Sequence, residues 1–76
     1  MKRVKVDSST ILAIGYDMGG SLLEVEFKNG GVYQYKNVPI SVTASMMASE
    51  SKGKFFHKIK GDYEWEKVYE DNKIST

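Results

Sequence analysis

The sequence predicts a small α+β domain: a three-stranded antiparallel meander, then two short helices packed on one face, plus a C-terminal tail element. Three observations carry this expectation. Apolar and polar residues alternate with a period of two through much of residues 11–35, as in half-buried strands. The links between the alternating runs, Met18-Gly19-Gly20 and Asn29-Gly30-Gly31, are short and glycine-rich, as hairpin turns require. From Pro39 onward the apolar spacing lengthens to that of a helix.

The first strand is expected in ILAIGYD, residues 11–17, where Leu12, Ile14 and Tyr16 share one face. The second lies in SLLEVEFK, with Leu23, Val25 and Phe27 on one face and Glu24, Glu26 and Lys28 on the other. The third lies in VYQYK, where Tyr33 and Tyr35 share a face. Ahead of them, Arg3 and Lys5 alternate with Val4 and Val6, enough for a short extra edge strand. The second turn decides where the tyrosines point. A two-residue turn at Asn29-Gly30 sets Tyr33 and Tyr35 on the side of Glu24 and Glu26. A three-residue loop, Asn29-Gly30-Gly31, pairs Phe27 with Tyr33 and Val25 with Tyr35. A one-residue slip reverses every side chain. The second register buries two aromatic rings against apolar partners and is the preferred one.

Pro39 suits a first helical position, because its missing N–H would be unsatisfied there. Val42, Met46 and Met47 follow at helical spacing, and residues 49–51 make a break. Ser51 reads as the N-cap of a second helix. In it Phe55, Phe56 and Ile59 fall on one arc, Lys54, His57 and Lys58 on the opposite one, and Gly61 marks a stop. The segment after Tyr63 fits two patterns: Tyr63 and Trp65 alternate like a strand, whereas Trp65, Val68 and Tyr69 fit one helical turn. The expectation is a single domain over residues 1–76, with its core at about 6–63 and a partly ordered tail at 64–76.

With 76 residues, the chain holds one domain that buries only about 60% of its unfolded surface. Its 41% hydrophobic and 28% charged content is that of a globular protein. It has no cysteine, so neither a disulfide nor a thiolate metal site supports the fold, in keeping with a cytoplasmic location. No apolar run approaches the roughly 18 residues of a membrane span, and the basic N-terminus lacks the apolar run of a signal peptide. Net charge is +1 but unevenly spread. Lys52, Lys54, Lys58 and Lys60 form a basic block, and Asp62, Glu64, Glu66, Glu70 and Asp71 an acidic one. These blocks either neutralise each other or form two poles.

Catalysis is disfavoured by what the chain lacks. Nucleophilic mechanisms need a nucleophile, a base and an orienting group. His57 is the only histidine, and Ser51 lies nearly two helical turns from it. Glu24 and Glu26 could form a carboxylate pair, but two acids on an open strand face are normally just solvated. One histidine and scattered acids match no metal-ligand spacing, so no cofactor or metal is expected. The stretch GYDMGGS lacks the lysine and the strand-to-helix setting of a phosphate loop.

Binding has three possible seats. In SKGKFF, a Ser51 cap would leave the backbone N–H groups of Gly53 and Lys54 at the positive end of the helix dipole, with Lys52 and Lys54 flanking them and Lys58 one turn on. The structural alternative is that Ser51 is only a cap and that Gly53 lets the first helix pack closely. Tyr33 and Tyr35 could stack nucleic-acid bases if they lie on an open face. Trp65, Val68 and Tyr69 could form a protein-interaction or self-association surface.

Asp7-Ser8-Ser9, IGYD at 14–17, LEVEFKNGGVYQY at 23–35, NVP at 37–39, SKGKFF at 51–56 and Tyr63 resemble, in order and spacing, the KTSC domain family. The resemblance runs from about Val6 to Tyr63, and the family's tyrosine-x-tyrosine matches Tyr33 and Tyr35. It implies a compact domain found at the C-terminus of some lysyl-tRNA synthetases and in stand-alone bacterial and phage proteins. It also suggests RNA binding by that context. The expected function is therefore a non-catalytic binder of RNA or of a phosphate-containing ligand, with a protein-interaction or self-association module as the alternative.

Overall fold

A computed structural model describes residues 2–68 of the chain. Five strands form one sheet in chain order: β1 (Arg3–Lys5), β2 (Ile11–Asp17), β3 (Leu22–Phe27), β4 (Val32–Tyr35) and β5 (Trp65–Val68). Every pairing is antiparallel. Between β4 and β5 run two helices, α1 (Ile40–Ala48) and α2 (Lys52–Ile59), and a 3₁₀ turn at Lys60–Asp62. The α+β architecture agrees with the sequence. The expected three-stranded sheet does not: it is widened at both edges, by β1 and by the segment read as a tail.

The helical face of the sheet carries the core. Ile14 pairs with Val25, Val25 with Tyr33, and Leu23 with Tyr35, so these side chains stand on one face. Against them pack Val38, Met46 of α1 and Phe56 of α2, all buried. A register shift between Ile11 and Ala13 changes one expected inward residue. The extra residue of a bulge resets the alternation, so Ile11 is fully buried in the core and Leu12 is only half-buried.

The second hairpin keeps the expected face but not the expected pairs. Phe27 N–H donates to Gly31 O at 2.8 Å and Gly30 N–H to Phe27 O at 2.9 Å, so the loop is Lys28-Asn29-Gly30. Gly30 sits at φ +102°, a conformation that side chains with a Cβ rarely adopt. The loop starts one residue earlier than the sequence suggests, and Val25 opposes Tyr33 instead of Tyr35. A displacement of two residues leaves both tyrosines on the core face. In the first hairpin the positive φ falls on Ser21, at 53°, and not on a glycine.

Both helices begin where a local signal says they should. Pro39 stands one position earlier than expected, as the N-cap of α1, and its carbonyl accepts from Val42 N–H at 3.0 Å. Ser51 caps α2 by accepting from Lys54 N–H at 3.3 Å. Phe56 is buried, with Phe55 and Ile59 half-buried beside it.

The opposite face is polar yet partly closed. Glu24 is buried, held by Arg3 Nη1 and by Gln34 Nε2, which donates to Glu24 Oε1 at 2.8 Å. Arg3 Nε also reaches Glu26 Oε1 at 3.2 Å. The two glutamates are thus partners of an arginine, and Glu24 is not the solvated acid expected of that face.

Candidate functional site

The distinctive surface feature is a cleft of about 550 Å³ between the β3–β4 hairpin, the Ser9-Thr10 segment and α2. Its aromatic part is built by strand alternation and helix spacing together. Phe27, Tyr33 and Tyr35 project from the sheet, and Phe56 meets them from α2. The rings interlock edge to face, with centroids 5.7 Å apart for Phe27 and Tyr33, 5.4 Å for Phe27 and Phe56, and 5.3 Å for Tyr35 and Phe56. Trp65 of β5 extends the cluster, 5.4 Å from the Tyr33 ring.

The polar rim comes from Ser9, Thr10, Lys28, Asn29, His57 and Lys60. None of the described lining residues is acidic, so the rim is basic. The helical side obeys one rule: Gly53, Phe56, His57 and Lys60 recur at helical spacing and face the same way. His57 is exposed, as expected, but it also lines this cleft.

Tyr35 is buried and Tyr33 half-buried, so the two tyrosines do different work. Burial raises the Tyr35 phenol above its ordinary pKa, and the neighbouring Tyr33 phenol raises it further. Tyr35 therefore belongs to the foundation of the cleft, while Tyr33, Phe27 and the half-exposed Trp65 keep ring surface within reach of solvent.

The basic segment at the start of α2 lies in a neighbouring cleft of about 380 Å³. Ser51, Lys52, Gly53 and Lys54 line it together with Ser8, Ser9 and Thr10, but so do Asp7 and Glu50. Lys52 Nζ donates to Ser49 O at 2.8 Å. Gly53 is explained by close packing, though not against α1: a Cβ there would stand 3.0 Å from Thr10 Oγ1. The two clefts share Ser9, Thr10 and Gly53, and Lys58 lines neither. Arg3 engages Glu24 and Glu26 on the far face of the sheet, away from both clefts. Of the suggested interface, Trp65 and Val68 are in β5, half-exposed and half-buried respectively, and Tyr69 lies outside the described residues.

Sequence reasoning found Tyr33, Tyr35 and Gly53 but missed Phe27, Lys28, Asn29 and Lys60 as members of one site. The spacing of Gly53, Phe56, His57 and Lys60 is the signal that could have shown the helical stripe, but the apolar-arc reading set Phe56 and His57 on opposite sides. The contribution of the hairpin tip was not legible, because it depends on the turn reaching over to α2.

The KTSC domain family model matches residues 7–63. The chain belongs to the KTSC domain family. The crystal structure of a KTSC domain protein from Yersinia pestis superposes with a TM-score of 0.87 at 42% identity, covering 90% of this chain and 97% of that one. An uncharacterised protein of Stutzerimonas stutzeri is 39% identical over 59 residues, 78% of this KTSC domain and 83% of the relative. A lysine–tRNA ligase of a Nostoc species is 36% identical over 66 residues, 86% of this chain. The match spans only 12% of that ligase's length.

Proposed function

We propose that this KTSC domain is a non-catalytic binder of single-stranded RNA, and that the aromatic cleft is where it binds. One observation carries the reading: exposed aromatic surface from Phe27 and Tyr33 lies inside a rim of Lys28, His57 and Lys60 with no acid among the described lining residues. Stacking on such rings contributes about 1–3 kcal/mol per base, and lysines at the rim attract the backbone. The cleft volume of about 550 Å³ falls within the usual range for small-molecule and nucleotide sites. That a lysine–tRNA ligase carries a similar segment supports an RNA ligand for this one. Ser51, Lys52, Gly53 and Lys54 enter as the adjoining end of the same surface. There Asp7 and Glu50 offset the lysines, so Lys54 and Lys58 add long-range attraction more than a phosphate seat.

Fluorescence anisotropy with a labelled single-stranded RNA tests this. Affinity falls as salt rises, and Lys28→Ala with Lys60→Ala flattens that slope by about 0.7 for each phosphate the lysines no longer neutralise. Lys54→Ala with Lys58→Ala has the smaller effect. No binding at low salt, or binding indifferent to Lys28 and Lys60, overturns the reading.

A second reading, association with protein or with another copy, rests on Trp65, a 54% exposed aromatic on an edge strand. Sedimentation of the Trp65→Ala variant against the unaltered chain decides it: an unchanged monomer in both removes self-association.

A further inference from the structure

We propose that the RNA-binding surface continues beyond the cleft, over Tyr33 to the indole of Trp65, which stacks the next base of the strand. The inference rests on the RNA-binding reading above and deepens it by adding a stacking position that the cleft itself does not contain. The juxtaposition follows from strand pairing. Trp65 lies opposite Tyr35, and Lys67 opposite Tyr33, so both project from the face of the sheet that carries the cleft. Tyr33 lines the cleft, and the indole stands 5.4 Å from its ring, centroid to centroid. Trp65 is not itself among the described lining residues.

Phe27, Tyr33 and Trp65 thus make a row of rings from the cleft to the sheet edge, with centroids 5.7 and 5.4 Å apart. The contacts of Trp65 with Tyr33 and Tyr35 cover only part of the indole, and 54% of the residue is exposed. A row of partly open rings suits successive bases of a single strand, because every base has a π-face and stacking tolerates any sequence. Charge on this face agrees. Alternation along β5 sends Glu66 to the other face, opposite Gln34, where its Oε1 lies 3.5 Å from Lys36 Nζ. The residue of β5 that shares the indole's face next to Tyr33 is a lysine, Lys67. The continuity with Tyr33 assigns the indole to RNA rather than to a second copy of the chain, which would need no link to the cleft.

The chain has one tryptophan, so its emission reports what covers this residue. In the full chain, saturation with oligouridylate is expected to shield the indole from acrylamide and lower the quenching constant. A ligand confined to the cleft leaves the indole as open to acrylamide as before. By fluorescence anisotropy, Trp65→Ala is expected to weaken oligouridylate binding about tenfold, the loss of one stacked base, and Trp65→Phe, which keeps a ring, less than about threefold. Circular dichroism checks that each variant folds, and the acrylamide result on the unaltered chain decides the matter even where one does not. An unchanged quenching constant at saturation, or a folded Trp65→Ala variant within about twofold of the unaltered chain, overturns the second stacking position while binding in the cleft stands. An indole already shielded without RNA, in a chain that sediments as a dimer, belongs to a second copy and overturns the proposal as well. Absence of binding at low salt overturns both readings.

Discussion

The Thr10 hydroxyl occupies the space that a side chain at position 53 would need: a Cβ built on Gly53 stands 3.0 Å from Thr10 Oγ1. This approach joins the β1–β2 segment to the start of α2, and both residues line both clefts. Alanine in place of a helical glycine adds at most about 1 kcal/mol of stability, the figure for a helix interior, and Gly53 stands in the first turn of α2. In Gly53→Ala that gain is offset by displacement of the Thr10 side chain, and the variant gains little or becomes less stable. In a Thr10→Ala background the same change recovers whatever helix-propensity gain this first-turn position allows. Urea denaturation of the four proteins in a double-mutant cycle should yield a coupling of at least about 0.5 kcal/mol. Strict additivity would mean that Thr10 rotates away at no cost.

The arginine that ties β1 across the sheet makes a second prediction. Arg3 faces a Glu24 side chain only 7% exposed. Removing the guanidinium in Arg3→Ala leaves a nearly buried carboxylate held by Gln34 alone among these side chains, at an expected cost of about 2 kcal/mol. Glu24→Leu removes the charge itself and should cost less, because the apolar side chain needs no partner. Thermal denaturation ranks the two variants, and the reverse order would show that the Arg3 contact is dispensable.

Tyr35 gives the protein an alkaline weak point. Its folded pKa is raised, first by burial and then by Tyr33, so the folded state holds the phenolic proton after the unfolded chain has released it. The stability this contributes is complete below the unfolded tyrosine pKa of about 10 and is lost as pH climbs from there through the folded value. Equilibrium unfolding across that window should show the wild type weakening, and Tyr35→Phe weakening less. Equal slopes would mean that Tyr35 carries none of the alkaline sensitivity.

Trp65 is the only tryptophan, and it touches the rings of both Tyr33 and Tyr35. Trp65→Ala should cost about 1 kcal/mol, since each aromatic pair contributes roughly 0.5–1.5 kcal/mol and the indole is half-exposed. In the unaltered chain its fluorescence should change when RNA enters the adjoining cleft through Tyr33. A titration that moves anisotropy but leaves the indole emission untouched would put the ligand elsewhere.

What the sequence made legible was whatever depends on near neighbours. The alternation of β3, the Ser51 cap and the arc of Phe55, Phe56 and Ile59 are local patterns, and all are present. What it concealed depends on distant partners. Trp65-Glu66-Lys67-Val68 has no clean alternation. It becomes a strand because β4 offers it a free edge, with Tyr35 opposite Trp65 and Val32 opposite Val68. Ile11 takes the place expected for Leu12 because of a bulge that no composition rule signals. The helical half of the cleft has the spacing of a stripe, although the apolar arc of Phe55, Phe56 and Ile59 drew Phe56 away from His57, and the rest depended on where the Lys28-Asn29-Gly30 loop came to lie.

A sheet whose strands pair strictly in the order they occur has a consequence for how the molecule is made. β2, β3 and β4 can each close on the strand just before, by hairpins or a short loop, so the early contacts are of short range and quick to form. Only β5 must return across two helices to meet β4. During synthesis from the N-terminus, the tryptophan that packs against the Tyr33 and Tyr35 rings of the aromatic cleft is the last part to be emplaced. A nascent chain stalled before residue 65 would carry every described residue that lines the cleft, but not the strand and indole that brace Tyr33 and Tyr35 from behind.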